Sequence, residues 1–584
     1  MTAALDCDVV LAGAGIVGGL LANKLGQAGL RVVLLDVGDR SYFDLDPSNP
    51  LGTDQRQPLL DNYYGNISAA PNSPYPNLAY APMPYEENLA AYYTGPAYDP
   101  DNPTGNTPPQ FKSSYARIIG GTTYHWLGIS LRYLPTTFRE KTLYDRGADW
   151  PLGYEELAEW YHRAEIEIGV AGNSDEDLGS PRYGAKFPMP EILPSYQDRR
   201  IAARIGDMRF DGLPVRVQVT PQGRNSVPYQ NRPPCSGSAN CIPICPIQAK
   251  WDATIPIKRA LNPALDPHDR TGSRPVELRR GAVVTRVLVG DGEPGSAPVT
   301  GLVYKDGHTR EEHVIRARAY VLCAHAMETA KILLMSPWRD QMTVANTSDA
   351  VGRHLMDHNI KITTAVIDEP IYPFRGPKAT SGIETLRDGP FRRHRGAFRV
   401  EIQNVSANWA LNTPYSNLRD LLNANLIGRE LGHQLAWDVV RTVQLDALVE
   451  PEGQWDSTIR PSKDKFDELG VPRPEIHYRI DDYTVRGGDA FVDLARRIYE
   501  RMGATQINVV PGFGGAGHVM GTLRMGRDPR KSVADRDGRS HDHPNLWLTG
   551  SGLFPTVDSA NPTLTIAAVT LRQAERLIAA IAAG

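Results

Sequence analysis

The sequence predicts an α/β fold, and three features carry that prediction. The chain opens on a strand, glycine turn, helix and strand, "DVVLAGAGIVGGLLANKLGQAGLRVVLLD" (residues 8–36). Strand-like and helical patterns then alternate along its length. It closes on a long amphipathic helix, "TLTIAAVTLRQAERLIAAIAA" (563–583).

In the opening unit, a β run from Val9 to Ala12 enters Gly13-Ala-Gly15-Ile-Val-Gly18. An amphipathic helix follows to about Gln27, and a second strand, Arg31 to Asp36, completes a βαβ half. Gly13 permits the tight turn. Gly15 lets a pyrophosphate approach the backbone at the helix N-terminus, where free N–H groups and the helix dipole favour negative charge. Gly18 lets helix and strand pack closely, and Asp36 ends the second strand, where a carboxylate binds a ribose hydroxyl. A lone GxGxxG turn is weak, but with strand, helix, strand and terminal acid around it the unit predicts a bound dinucleotide. The motif fits FAD and NAD alike; its place at the extreme N-terminus of a long chain favours FAD.

Residues 41–110 ("APNSPYPNLAYAPMPYEEN" among them) are rich in Pro, Asn, Asp and Tyr without periodicity and read as a covering loop or lid. Residues 151–172 read as a helix with Pro at its start and Gly at its stop. Residues 276–323 read as strands around a turn, 327–336 as helix, and 361–510 as mixed strands and helices with a helix in "DAFVDLARRIYERMG".

At 584 residues the chain exceeds what one compact core usually holds, so two domains or a composite enzyme are expected. Lys+Arg 63 against Asp+Glu 67 gives a net charge of −4, which argues against nucleic acid as a main partner. No apolar run is long enough for a membrane span, and the N-terminus carries no signal-peptide pattern.

Three of the five cysteines, Cys235, Cys241 and Cys245, crowd into "PPCSGSANCIPICP" (233–246), spaced C-x5-C-x3-C before Pro246. An odd cluster cannot pair internally as disulfides, and a zinc site wants a fourth ligand that the stretch 226–257 lacks. Clustered Cys with a trailing Cys-Pro suits an iron–sulfur site, against the plain alternative of three buried thiols. Cys7 and Cys323 stand alone in apolar runs and read as small buried hydrophobes.

Beyond the glycine turn, "ARIIGGTTYHW" (116–126), "AHAMETAKILLMS" (324–336), "VGRHLMDH" (351–358), "GHVMGTLRMG" (517–526) and "NLWLTGSGLFPTVDSANPTLTIAA" (545–568) resemble, in family order, the glucose–methanol–choline (GMC) flavin oxidoreductases. "RPPCSGSANCIPICPIQAKW" resembles the cysteine loop of large subunits of bacterial FAD-dependent sugar dehydrogenases.

The resemblance implies an α+β composite of interleaved segments. A Rossmann-like FAD-binding domain would take 1–45, 110–150, 240–360 and 511–584, with the cysteine loop 233–246 near its edge. A sheet-based substrate domain would take 151–239 and 361–510, leaving 46–109 as the lid. It implies that His518 is the catalytic base, a task suited to an imidazole titrating near neutrality. It also implies that Asn561 holds the substrate oxygen, where a residue before Pro562 also reads as a helix N-cap. Gly121, Thr122, His125 and Trp126 would pass the flavin ring, with covalent attachment at His125 left open, and Val284 would hold the adenine by backbone contacts. The three cysteines would bind a [3Fe–4S] cluster.

The function implied is oxidation of a sugar or glycoside hydroxyl by hydride transfer to FAD, with electrons leaving through the cluster. The alternatives are an oxygen-using pyranose or glycoside oxidase and, against the intact His518 and Asn561 motifs, a non-catalytic electron-transfer subunit. Implied partners are a carbohydrate substrate, a small subunit and a haem subunit or other one-electron acceptor. The location implied is the periplasm, reached with a signal-bearing partner, or else the cytoplasm.

Overall fold

The computed structural model describes residues 4–39, 41, 43, 45, 111, 113, 115–237, 241, 244–269, 271–404 and 415–583; the expected lid, 46–109, lies outside them. Along the chain come β1 (Cys7–Ala12), α1 (Ile16–Gln27), β2 (Val32–Leu35), α2 (Tyr154–Ile168), β3 (Gln218–Val219), β4 (Glu277–Arg279), β5 (Ala282–Val289), β6 (Ala317–Leu322) and α3 (His325–Leu334). There follow β7 (Asn359–Val366), β8 (Ser381–Ile383), β9 (Phe398–Gln403), β10 (Thr442–Val449), α4 (Asp482–Arg501), β11 (Gln506–Val509), β12 (Gly514–Gly515), β13 (Leu546–Leu548) and α5 (Thr563–Ala583).

Five strands form a parallel sheet in the order β13-β6-β1-β2-β4. Its central strands β1 and β2 are near-continuous runs of Val, Leu and Ala because both faces are covered: Val9, Val10, Leu11, Leu34 and Leu35 are fully buried. Helices α1, α2 and α5 share that core through Leu20, Leu157 and Leu564. The sequence reading places 154–168 with the substrate unit. The structure instead sets Leu157, Tyr161, Ala164 and Ile168, one helical face, into the core of the parallel sheet. The Tyr161 hydroxyl lies 2.9 Å from Thr565 Oγ1 of α5.

A second, antiparallel sheet runs β11-β7-β10-β9-β8-β3, with β12 also on β7. Its core holds Val400, Ile402, Leu445 and Ala447 against Phe491, Leu494, Ala495, Ile498 and Tyr499 of α4. Those helical positions repeat at three and four residues and make one buried stripe. The sequence reading starts this helix at Asp489, whereas it begins at Asp482, where the Asp481 carboxylate accepts the Thr484 N–H at 2.7 Å. Gly487 and Gly488 hide the first turns from a periodicity reading. They are there for packing: a Cβ on Gly487 would lie 2.7 Å from Val449, and one on Gly488 would lie 2.6 Å from Phe513.

Both sheets draw strands from alternating stretches of the chain, so neither is a continuous sequence segment. Among the described residues, no helix is long and apolar enough to cross a membrane.

Candidate active site

A cavity of about 370 Å³ opens beyond the carboxyl ends of β1, β2 and β6, where open parallel sheets receive ligands. It is lined at one end by the glycine turn and at the other by the second sheet.

Gly13 and Gly18 take the turn and packing roles that their spacing predicts. Gly13 has φ +118°, and a Cβ there would sit 2.6 Å from the Cys323 carbonyl oxygen. A Cβ on Gly18 would meet the Gly13 oxygen at 1.8 Å, so helix and turn touch through bare backbone. Gly15, which lines the cavity, differs: a Cβ there would meet no atom within 4 Å. The space beside it is left for something other than protein. Gly15 is the N-cap of α1, whose first turn has neither a side-chain cap nor an acidic residue, so its N–H groups are free to meet a phosphate.

Asp36 lines the cavity just past β2, with its oxygens committed to the turn. Oδ2 accepts Ala14 N–H at 2.6 Å and Oδ1 accepts Gly38 N–H at 2.7 Å. Burial pushes this carboxyl up to about 6. Lone pairs remain on it for a ribose hydroxyl. Val284 of β5 lines the same end. Gly121, Thr122, His125 and Trp126 line the cavity from the tight turn 121–124 and the residues after it. Trp126 is pinned by its indole N–H to the Trp251 carbonyl at 2.7 Å. These residues fit FAD: a bare helix terminus for the pyrophosphate, an acid at the ribose, and a continuous hollow toward the second sheet.

At the far end stand His518 and Asn561. The His518 N–H bonds Asp357 Oδ1 at 2.8 Å, and Ser113 donates to the other oxygen of that carboxylate while accepting Gly517 N–H at 2.7 Å. The His518 ring faces a second histidine. His518 Nδ1 and His358 Nδ1 lie 2.8 Å apart, and His358 Nε2 lies 2.5 Å from the Asp558 carbonyl oxygen. A carbonyl only accepts, so His358 Nε2 carries the proton and its Nδ1 is an acceptor. His518 must then donate from Nδ1, which leaves its Nε2 lone pair unprotonated. Burial, with His358 and Arg399 nearby, holds His518 well below the usual histidine range, and burial pushes His358 down to about 4.

Asn561 does not cap α5, which starts at Thr563. Its side-chain oxygen accepts Arg399 Nη1 at 3.2 Å, and its amide donates to Glu401, another residue of the cavity wall. Sequence reasoning missed His358, Arg399 and Glu401. His358 closes the "VGRHLMDH" motif, but its approach to His518 comes from the ladder that pairs Asn359 with Gly515. Arg399 and Glu401 alternate on β9, an ordinary strand pattern without a motif.

None of the described residues of the cysteine loop lines the cavity. All five cysteines are free; Cys241 is buried, and Cys235 and Cys245 are half-buried. The expected three-cysteine metal set is not found: among the described residues no group of three His, Cys, Asp or Glu is placed to hold a metal. The sulfurs have other partners, since Cys241 Sγ accepts Arg224 Nη1 at 3.2 Å and Cys235 Sγ accepts Gly237 N–H at 3.4 Å. The charge around Cys241 favours thiolate, whereas burial raises the Cys235 thiol. Burial opposes thiolate at Cys241 too, yet Arg224, Lys250 and Lys378 together hold the Cys241 thiol below its ordinary value. Lys250 is buried and donates to the Tyr124, Trp126 and Cys241 carbonyls at 2.6, 2.6 and 2.8 Å. One ammonium thus ties the cysteine loop to the loop that lines the cavity.

The fold and this cavity define a nucleotide-dependent oxidoreductase, and comparison with known proteins gives its family. A model described as GMC oxidoreductase matches residues 456–570. The chain is 32% identical to the fructose dehydrogenase large subunit of Gluconobacter japonicus over 98% of both chains. It is 27% identical to paromamine 6′-oxidase of Streptomyces fradiae over 97% of this chain and 90% of that one. Its fold is similar to that of pyridoxine 4-oxidase from Mesorbium loti, at a TM-score of 0.61 and 16% identity over 98% and 99% of the two chains. The chain belongs to the GMC oxidoreductase family, FAD-binding enzymes that act on CH–OH groups.

Proposed function

We propose that this protein is an FAD-dependent dehydrogenase that oxidises a hydroxyl of a sugar or glycoside. One observation carries the reading: a single cavity joins the bare helix terminus at Gly15 to the His518–Asn561 pair. The similarity to a fructose dehydrogenase large subunit supports a carbohydrate. FAD, when bound, supplies the hydride acceptor.

The chain's own residues handle the proton and the oxygen. Gly13, Gly15, Gly18 and Asp36 hold the dinucleotide end, Val284 the adenine, and Gly121, Thr122, His125 and Trp126 the ring. His518 Nε2 takes the hydroxyl proton, general-base work worth roughly 10²–10⁴-fold in rate. His358 keeps that nitrogen free by accepting the hydrogen bond that His518 donates from Nδ1. Asn561, anchored on Arg399 and Glu401, presents its remaining amide hydrogen to the substrate oxygen. Anaerobic mixing of FAD-loaded protein with a panel of sugars and glycosides tests the reading: bleaching of the flavin by a carbohydrate is expected, and a panel without any bleaching rejects it.

The cysteine loop is proposed as the seat of the [3Fe–4S] cluster. Arg224, Lys250 and Lys378 around Cys241 would suit an anionic group held there by thiolates. A cluster held by Cys235, Cys241 and Cys245 would supply one-electron transfer to a partner, a small or haem subunit, in the periplasm reached with a signal-bearing partner. Iron and inorganic sulfide in anaerobically purified protein, lost in Cys241→Ser, are expected; flavin-replete protein with neither element removes the cluster. The likeness to paromamine 6′-oxidase favours a second reading, an oxidase. Peroxide formed in air without an added acceptor would select it.

A further inference from the structure

The wall that carries Asn561 has a charge pattern that bears on which substrates enter. Arg399 is fully buried at its centre, between Glu384 and Glu401, both 4% exposed. Nε and Nη2 bond Glu384, the latter at 2.7 Å, and Nη2 also reaches Thr220 Oγ1 at 3.4 Å. Nη1 serves Glu401 and, at 3.2 Å, Asn561. A guanidinium has five N–H donors, and these partners engage all of them. One positive charge faces two carboxylates, so the cluster is net negative, or neutral if one carboxyl is protonated. In neither state does it offer a free cation.

Glu401 is the member of this cluster that lines the cavity, beside Asn561 and His518. Arg399 Nη1 on Oε1, Gln403 Nε2 on Oε2 at 2.9 Å and the Asn561 amide engage three of the four lone pairs of this carboxylate, which leaves one for a substrate hydroxyl. Among the described residues that line the cavity, the one Lys or Arg is Arg117, already held by Glu328 at 3.2 Å and Asp467 at 3.4 Å.

We propose that this wall selects neutral polyhydroxyl substrates and rejects sugar acids, with the Glu401 carboxylate accepting a second substrate hydroxyl beside the one being oxidised. The inference rests on the dehydrogenase reading above and deepens it. A hydroxyl donates to a carboxylate and satisfies it. A substrate carboxylate would instead be buried against a like charge with no guanidinium or ammonium left to pair it.

The test measures anaerobic flavin reduction of FAD-loaded wild-type protein at constant ionic strength. Neutral hexoses and hexitols are compared with D-gluconate and D-glucuronate. The expected result is an efficiency for the acids roughly 100-fold below that of the best neutral compound, the size of a like-charge penalty of a few kcal/mol. In Glu401→Gln, which keeps the shape and an acceptor oxygen, that ratio should narrow by about tenfold or more. Acids that reduce the wild-type flavin as efficiently as the neutral compounds overturn the proposal, and so does a flavin-replete Glu401→Gln protein with an unchanged ratio. If that variant does not hold flavin, the wild-type ratio decides alone. If no carbohydrate of either kind reduces the flavin, the dehydrogenase reading itself falls, which is a different result from equal reduction by both.

Discussion

His358 and His518 meet nitrogen to nitrogen, Nδ1 to Nδ1 at 2.8 Å, with the far side of His358 held by the Asp558 carbonyl. Two neutral imidazoles in this arrangement have one consistent proton placement, and it leaves His518 Nε2 open. His358 is thereby a positioning residue that acts through His518. His358→Leu is expected to lower flavin reduction by roughly 10–100-fold, the cost of an orphaned buried donor and a free tautomer. His358→Asn places an acceptor oxygen near the former Nδ1 and should recover most of the loss. Equal rates in both variants, measured by anaerobic stopped flow, would show that the tautomer is immaterial.

Replacement of His518, the proposed base, should be more costly. His518→Ala is expected to retain FAD and to lose roughly 10²–10⁴-fold in the reductive half-reaction. Asn561→Ala should lose less, about tenfold, because one hydrogen bond to the substrate oxygen disappears while the base remains. Flavin absorbance before and after substrate addition separates loss of cofactor from loss of chemistry.

The pH profile follows from burial. His518 sits well below its ordinary value of 6.5, so it stays neutral as pH falls through 6.5 and protonates only further down. A base must be neutral to act, so activity should persist below pH 6.5 and fall at a more acid limb. His358 and Arg399 contribute to the depression after burial. His358→Asn should therefore move the acid limb upward. A wild-type limb centred at 6.5 would contradict this depression of His518.

The two glycines Gly15 and Gly18 should behave differently on substitution. Gly15→Val adds atoms where no protein atom lies within 4 Å, so the apoprotein should fold with near-normal thermal stability and fail to bind FAD. Gly18→Ala drives a methyl to 1.8 Å from the Gly13 oxygen and should lower stability by about 1–3 kcal/mol or more, with or without flavin. Thermal unfolding of the two apoproteins checks the contrast.

What sequence determined here is local. The glycine turn, the strands beside it and the closing helix are legible because glycine spacing and hydrophobic period act within a few residues. The closing helix is found at Thr563–Ala583, the range its pattern predicts. Motifs also brought His518, Asn561, His125 and Val284 onto one list, and the fold gathers them around one cavity. Local pattern failed where packing decides. Gly487 and Gly488 look like a helix breaker but sit inside α4, because Val449 and Phe513 need the room. Crowding in the sequence also did not preassemble the three cysteines into a metal-holding group among the described residues, where Arg224 bonds Cys241 and the Gly237 amide bonds Cys235.

Tertiary structure alone decided the surroundings of His518 and the charge of the wall that carries Asn561. His358 reaches His518 across 160 residues, and Arg399 reaches Asn561 across 162, through strand pairings that no short window contains. The state of His518 depends on exclusion of water and on neighbours that arrive from other strands. The charge of the wall depends on which side chains alternate inward on β9. Both are properties of a packed interior, where desolvation and short distances set proton positions, and a linear pattern carries neither.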